Sequence, residues 1–182
     1  MSETNVELIG GNSVDESEKI EDSIVQYLTF CLQMHVVGVR LKAVKEVMGV
    51  KSITTLPRTP EFVRGVINLR GQIVPVIDLK LKFGMGITDF TIDSCIIIVE
   101  VQINDEAMII GALADSVKDV VELQKDNIDP PPKMGAAIDS KFIVGMSMQE
   151  NDFFTILDTH VLFSIDELME GADSGIVSAS VT

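Results

Sequence analysis

The sequence predicts an all-β protein, and three observations carry that prediction. Apolar residues recur with period two in short runs, as half-buried strands require. Turn residues and polar pairs punctuate those runs. The apolar content is aliphatic: 46% of residues are hydrophobic, only 5% are aromatic, and there is no Trp. Many short strands joined by turns make a sandwich or a barrel. At 182 residues the chain suits one compact domain or two small subdomains.

The elements follow in order. Gln26–Leu32 alternates Leu28, Phe30 and Leu32 with Tyr27, Thr29 and Cys31, and Val36–Leu41 follows a turn at Gln33-Met34-His35, so the two strands form a hairpin. Leu41, Val44 and Met48 fall at helical spacing, which predicts one or two helical turns over Lys42–Met48. Thr59 before Pro60 and Glu61 reads as an N-cap with a first-turn proline, and so as a short helical turn. Gln72–Leu79 is a strand whose Pro75 lacks a ladder donor, which predicts an edge or a bulge. Cys95–Ile103 and Ala107–Ala114 flank Asn104-Asp105-Glu106 as a hairpin. Val117–Leu123 alternates again before Asp129-Pro130-Pro131-Pro132 forbids regular pairing. Phe142–Met148 and Phe153–Leu157 flank Gln149-Glu150-Asn151-Asp152 as a further hairpin. Thr159–Met169 carries Leu162, Ile165, Leu168 and Met169 on one stripe, which predicts a C-terminal helix. Spacing leaves open a loose likeness of strand layout between the two halves.

Charge narrows the function classes. With 14 Lys+Arg against 28 Asp+Glu the net charge is −14, which repels phosphate and argues against nucleic acid. Residues 1–23 hold seven acids against Lys19 and read as a solvated tail, as do the small and hydroxyl residues after Gly171. Nine cations and three anions between Arg40 and Lys82 give +6, whereas residues 83–164 sum to −10. That asymmetry is either a basic face for an acidic partner or an ordinary solvated surface. No apolar run approaches the roughly 20 residues that span a bilayer, and the N-terminus lacks a secretory layout. A cytoplasmic protein is expected, with Cys31 and Cys95 as reduced core thiols.

No catalytic constellation is visible. There is no nucleophile elbow, phosphate loop or paired-histidine motif, and Cys31, Cys95, His35 and His160 lack metal-ligand spacing. Asp126 with Asp129, and Asp105 with Glu106, read as solvated turn residues. The sequence therefore predicts no enzyme, no cofactor and no metal.

The informative stretch runs from Leu56 to Leu79. Pro57 and Pro60 fix the backbone entering a turn, while Gly65 and Gly71 allow positive φ or close approach. Asn68 and Arg70, at period two, project to one side. The Arg70 guanidinium suits a bidentate carboxylate contact. Its partner is either another protein or an acid of the same chain such as Glu46.

This stretch resembles the signature of the CheW family, the coupling proteins of bacterial chemotaxis. The resemblance rests on Tyr27-Leu-Thr-Phe30, Val44-Lys-Glu46-Val47, Leu56-Pro57, Thr59-Pro60, Gly65-Val-Ile-Asn68-Leu69-Arg70-Gly71 and Ile73-Val-Pro75-Val-Ile-Asp78-Leu79. It implies two small SH3-like five-stranded β-barrels packed together, with an apolar groove between them and a short C-terminal helix. It places a domain at 24–169, its second barrel roughly 72–150, between an acidic disordered tail at 1–23 and a flexible tail at 170–182. It implies a non-catalytic adaptor bridging the cytoplasmic tip of methyl-accepting chemotaxis receptors to the regulatory domain of the histidine kinase CheA. Association with membrane receptor arrays would then come through those partners, without membrane insertion. The alternative is a CheW-like regulatory module of another chemosensory-type pathway. By the same resemblance, Val44, Glu46, Met48, Gly65, Ile67, Asn68 and Arg70 form or shape the receptor-binding surface, with Glu46 partly holding Arg70. The kinase would use a separate surface, since a bridge requires two.

Overall fold

A computed structural model describes residues 23–133 and 135–169. The tail expected at 1–23, apart from Ser23, and the one at 170–182 lie outside the described residues. Ten strands form two five-stranded sheets: β1 (Ile24–Leu32), β2 (His35–Arg40), β3 (Val44–Gly49), β4 (Val63–Leu69), β5 (Gln72–Asp78), β6 (Cys95–Ile103), β7 (Glu106–Ala114), β8 (Ser116–Gln124), β9 (Ile143–Gln149) and β10 (Asp152–Leu157). Short helices α1 (Leu79–Lys82), α2 (Thr159–Leu162) and α3 (Ile165–Met169) follow β5 and β10.

The strand orders are β8-β1-β2-β10-β9 and β3-β6-β7-β5-β4. Each sheet is an SH3-like barrel, and the two orders are one pattern. If β6–β10 repeat β1–β5, each barrel combines the first hairpin of one repeat with the last three strands of the other. Further details recur. Parallel pairing joins β10 to β2 and β5 to β7. Isolated bridges Thr54–Val66 and Asp129–Met146 flank Gly65 and Gly145. Asp78 and Asp158 cap α1 and α2 by accepting two backbone N–H groups each. The chain is thus a duplicated five-strand unit whose halves exchange hairpins. The second barrel accordingly spans β3 to β7, residues 44–114, and the boundary expected near residue 72 falls inside it.

Burial explains why the exchange is stable. Ile96 and Ile98 of β6 point into the core of the second barrel, whereas Cys95, Ile97, Val99 and Val101 point into a larger core shared between barrels. That shared core takes Leu28, Phe30, Leu32, Val37 and Val39 from the first barrel. Each such side chain contributes about 1.5–3 kcal/mol on burial. A strand buried on both faces reads as a continuous apolar run, which Cys95–Val99 is. The first barrel keeps its own core around Tyr27, Val121, Phe154 and Ile156.

Four local expectations are corrected. Residues 42–48 are not helical: a 3-10 turn at Leu41–Ala43 leads into β3. The spacing of Val44 and Met48 fits both periods, because four residues make two pleats as well as about one helical turn. Thr59-Pro60-Glu61 forms turns and no helix. The last helix breaks at Phe163-Ser164, where Phe163 is buried and the Ser164 hydroxyl accepts the Glu167 N–H, starting a new helix. Pro75 is neither at an edge nor at a recorded bulge, since β5 lies between β7 and β4. Its partner Val66 turns its N–H and C=O to Thr54, so Val66–Pro75 is a non-hydrogen-bonded pair and the Pro75 nitrogen faces away from β4. The ladder with β7 starts one residue later, at Val76.

Candidate functional site

The β4–β5 hairpin closes on a two-residue turn with Arg70 at φ 50° and Gly71 at φ 84°. Both left-handed positions together are the geometry of a tight hairpin turn. Arg70 therefore stands on the turn and not on the strand, a correction to the period-two reading. Asn68, one residue before the end of β4, accepts the Gly71 N–H on its Oδ1 at 2.8 Å. That bond holds the turn that presents Arg70.

From this turn the Arg70 Nη2 donates to Glu46 Oε2 at 2.6 Å. Glu46 lies on β3, so the pair ties the two edge strands of the second sheet and helps close the barrel. The Arg70 side chain stays 74% exposed and that of Glu46 28% exposed. The remaining guanidinium donors face solvent and can take a second carboxylate. Directly opposite Asn68, Ile73 is 72% exposed.

The other expected site residues separate by depth. Val44 is half-buried against the shared core and Met48 half-buried against the second barrel's core. Ile67 is 3% exposed and belongs to that core, so it shapes the surface from beneath. Gly65 is buried at φ 140°, and a Cβ there would collide with the Thr54 carbonyl oxygen. It permits the Thr54–Val66 bridge and offers no contact surface.

The equivalent hairpin of the first barrel turns on Glu150 and Asn151, again with both φ positive. Met148 and Phe153 stand at the positions of Asn68 and Ile73, directly opposite each other and 54% and 59% exposed. One tip is thus cationic with an aliphatic neighbour, and the other is apolar and aromatic. Sequence reasoning missed this second tip because the equivalence of the hairpins emerges only from the exchanged pairing.

Five of the nine cations in the basic segment are paired within the chain. Lys45 pairs with Glu100, Arg64 with Asp78, Arg70 with Glu46, Lys80 with Asp115 and Lys82 with Glu167. The most buried of these acids, Asp78, also accepts the Thr88 N–H at 3.0 Å and hydroxyl at 2.7 Å. These pairs knit the molecule together and offset the charge of those five cations. The groove implied between the barrels is also different from expectation. The shared core fills the apolar part, and the cavity that opens there, about 430 Å³, mixes Val144 and Ile156 with Arg40, Lys42, Asp158 and His160.

Glu167 shows how the C-terminal helix is docked. Its carboxylate meets Lys82 at 3.2 Å and Lys141 at 2.8 Å, and the Lys82 ammonium sits 4.3 Å from the Phe62 ring centroid. Burial pushes the Glu167 carboxyl up, but hydrogen bonds from Lys141 and Lys82, and their charges, hold it below the ordinary range. Among the described residues no group of three or more His, Cys, Asp or Glu is placed to hold a metal ion, and no helix is long and apolar enough to cross a membrane.

Comparison with known proteins places this geometry. The sequence profile of the CheW-like domain matches residues 26–167. The chain is 29% identical over 143 residues to the chemotaxis protein CheW of Klebsiella aerogenes, covering 79% of this chain and 84% of that protein. It is 28% identical over 154 residues to the chemotaxis protein CheW of Treponema pallidum, covering 85% and 91%. The crystal structure of the scaffolding protein TtCheW from Thermoanaerobacter tengcongensis superposes with a TM-score of 0.70 at 38% identity, over 79% of this chain and 90% of that one.

Proposed function

Since the chain belongs to the family of CheW-like domains and is a chemotaxis adaptor, we propose that it couples the cytoplasmic tip of methyl-accepting chemotaxis receptors to the regulatory domain of the histidine kinase CheA. The work is done by binding, without catalysis. The receptor surface is the end of the second barrel, with Arg70 at its centre, Glu46 and Asn68 fixing it, and Val44 and Met48 beside it on β3.

The observation that carries this reading is the Glu46–Arg70 pair. One ion pair orients a guanidinium that remains three-quarters exposed, on a turn held by its own asparagine. Orientation before binding lowers the ordering cost of a contact. A core pair would be covered, and a purely structural surface pair would not need the Asn68-stabilised turn.

A bridge also needs a second surface. We place the kinase contact on the equivalent tip of the first barrel, at Met148 and Phe153, because this exposed apolar pair stands on the other subdomain. Binding to purified receptor fragment and kinase regulatory domain tests both halves. Arg70→Ala should lose receptor binding at least tenfold and keep kinase binding, and Phe153→Asp should do the reverse. Undiminished receptor binding by Arg70→Ala would refute the receptor assignment.

A further inference from the structure

Around the last hairpin of each repeat the two halves match residue for residue. Gly65 pairs with Val76 as Gly145 pairs with Ile156, and Val63 pairs with Ile77 as Ile143 pairs with Leu157. The bulged residue between these pairs is Arg64 in one repeat and Val144 in the other. The same spacing carries Asp78, the cap of α1, onto Asp158, the cap of α2. Their N–H groups donate to the carbonyls of Phe62 and Phe142, at 2.7 and 2.8 Å.

At this shared position the two aspartates meet different surroundings. Each Oδ1 accepts the first N–H groups of its helix. Asp78 Oδ2 also accepts from the Arg64 guanidinium at 2.9 Å and from the Thr88 N–H at 3.0 Å. Thr88 belongs to the loop between α1 and β6, whose Phe90 ring lies 4.7 Å from that guanidinium, and Asp78 is fully buried. The second repeat has a valine for the arginine, and α3 follows α2 where the first repeat has its loop. Asp158 therefore stays half-buried, and its Oδ2 has no hydrogen-bond or ion-pair partner among the described residues.

Asp158 and Val144 instead line the recess of about 430 Å³ between the barrels, a size that suits a small ligand. Its walls carry both signs. Arg40 and Lys42 are exposed there and have no ion pair among the described residues. Glu100 pairs with Lys45 at 3.1 Å, which leaves Asp158 as the wall's acid without an ion pair. A carboxylate with one oxygen on backbone and the other open suits a guanidinium, the group the chain itself places on the equivalent Asp78. A pure cation would be repelled by Arg40 and Lys42. A carboxylate at the far end of the ligand turns both into partners.

We propose that this recess binds a small zwitterion carrying a guanidinium and a carboxylate, as a free arginine-type amino acid does. Asp158 Oδ2 takes the guanidinium in the place that Arg64 fills on Asp78, and Arg40 and Lys42 take the carboxylate. The site lies at the opposite end of β10 from Phe153 and is independent of the receptor and kinase assignments.

Titration of the ¹⁵N-labelled full chain with L-arginine, read from backbone resonances, tests it. Saturable shifts are expected at residues 40–42, 144 and 157–160. Asp158→Asn keeps a helix cap but loses the charge, and should weaken binding at least tenfold. Agmatine, which is arginine without its carboxylate, should also bind at least tenfold more weakly. Val144→Arg recreates the arrangement of the first repeat. Its guanidinium should seat on Asp158, raise the melting temperature and abolish arginine binding, while dispersed resonances report an intact fold. Shifts with L-arginine that do not saturate would overturn the proposal, as would wild-type affinity in Asp158→Asn, in Val144→Arg or for agmatine.

Discussion

Gly65→Ala separates support from contact at the proposed receptor surface. The glycine sits at φ 140°, and a methyl added there would run into the Thr54 carbonyl, which it must push away. Backbone strain for a residue with a Cβ in this region costs about 1–3 kcal/mol. Displacing Thr54 also breaks both bonds of its bridge, Thr54 N–H to the Val66 carbonyl at 2.9 Å and Val66 N–H to the Thr54 carbonyl at 2.8 Å. At about 1 kcal/mol each, these bring the total to roughly 3–5 kcal/mol. For a domain of this size that lowers the melting temperature by roughly 6–20 °C. Arg70→Ala removes only an exposed pair worth about 0–1 kcal/mol and should barely move it. Differential scanning calorimetry beside a receptor-binding assay reads both. A Gly65→Ala protein that melts like wild type yet no longer binds receptor would refute the supporting role and make Gly65 a contact.

Three further outcomes are expected. Asp78→Ala leaves Arg64 without its carboxylate inside the protein; urea unfolding should show a loss of about 3–5 kcal/mol, against about 1 kcal/mol for Asp158→Ala, which removes little more than a helix cap. The Glu167 carboxyl is held below its ordinary value of 4.5, so its contribution is present above about 4.5 and lost as pH falls through the lower folded value; the stability difference between wild type and Glu167→Gln should be flat at neutral pH and vanish in acid. Burial first, and the Asp115 charge second, push the Cys95 thiol up to about 11; iodoacetamide at pH 8 should modify Cys95 only as fast as the fold opens, and the half-buried Cys31 sooner.

What the sequence made legible was local. The hairpins at Asn104-Asp105 and Glu150-Asn151 were readable because period-two strands flank residues that tolerate positive φ. Residues 42–48 were misread because Val44 and Met48 satisfy both periodicities. The exchanged hairpins were invisible, since pairing of β1 with β8 joins residues such as Gln26 and Glu122 that no local pattern connects. At the site, the resemblance pointed to the Glu46–Arg70 pair, while chemistry alone left the partner open. Arg70 was misplaced onto a strand because arginine gives no sign of a left-handed φ, although the following Gly71 marked the turn. Charge counts left the basic segment open because they do not show that Lys80 and Lys82 are tucked against acids far along the chain.

The central claim is that one molecule holds receptor and kinase together through two different barrel tips. Titrating a receptor fragment onto a preformed complex with the kinase regulatory domain, followed by analytical ultracentrifugation, tests it directly. The account predicts a three-component species with wild type and, with Arg70→Ala, a kinase complex that takes up no receptor. Displacement of the kinase by receptor would contradict it.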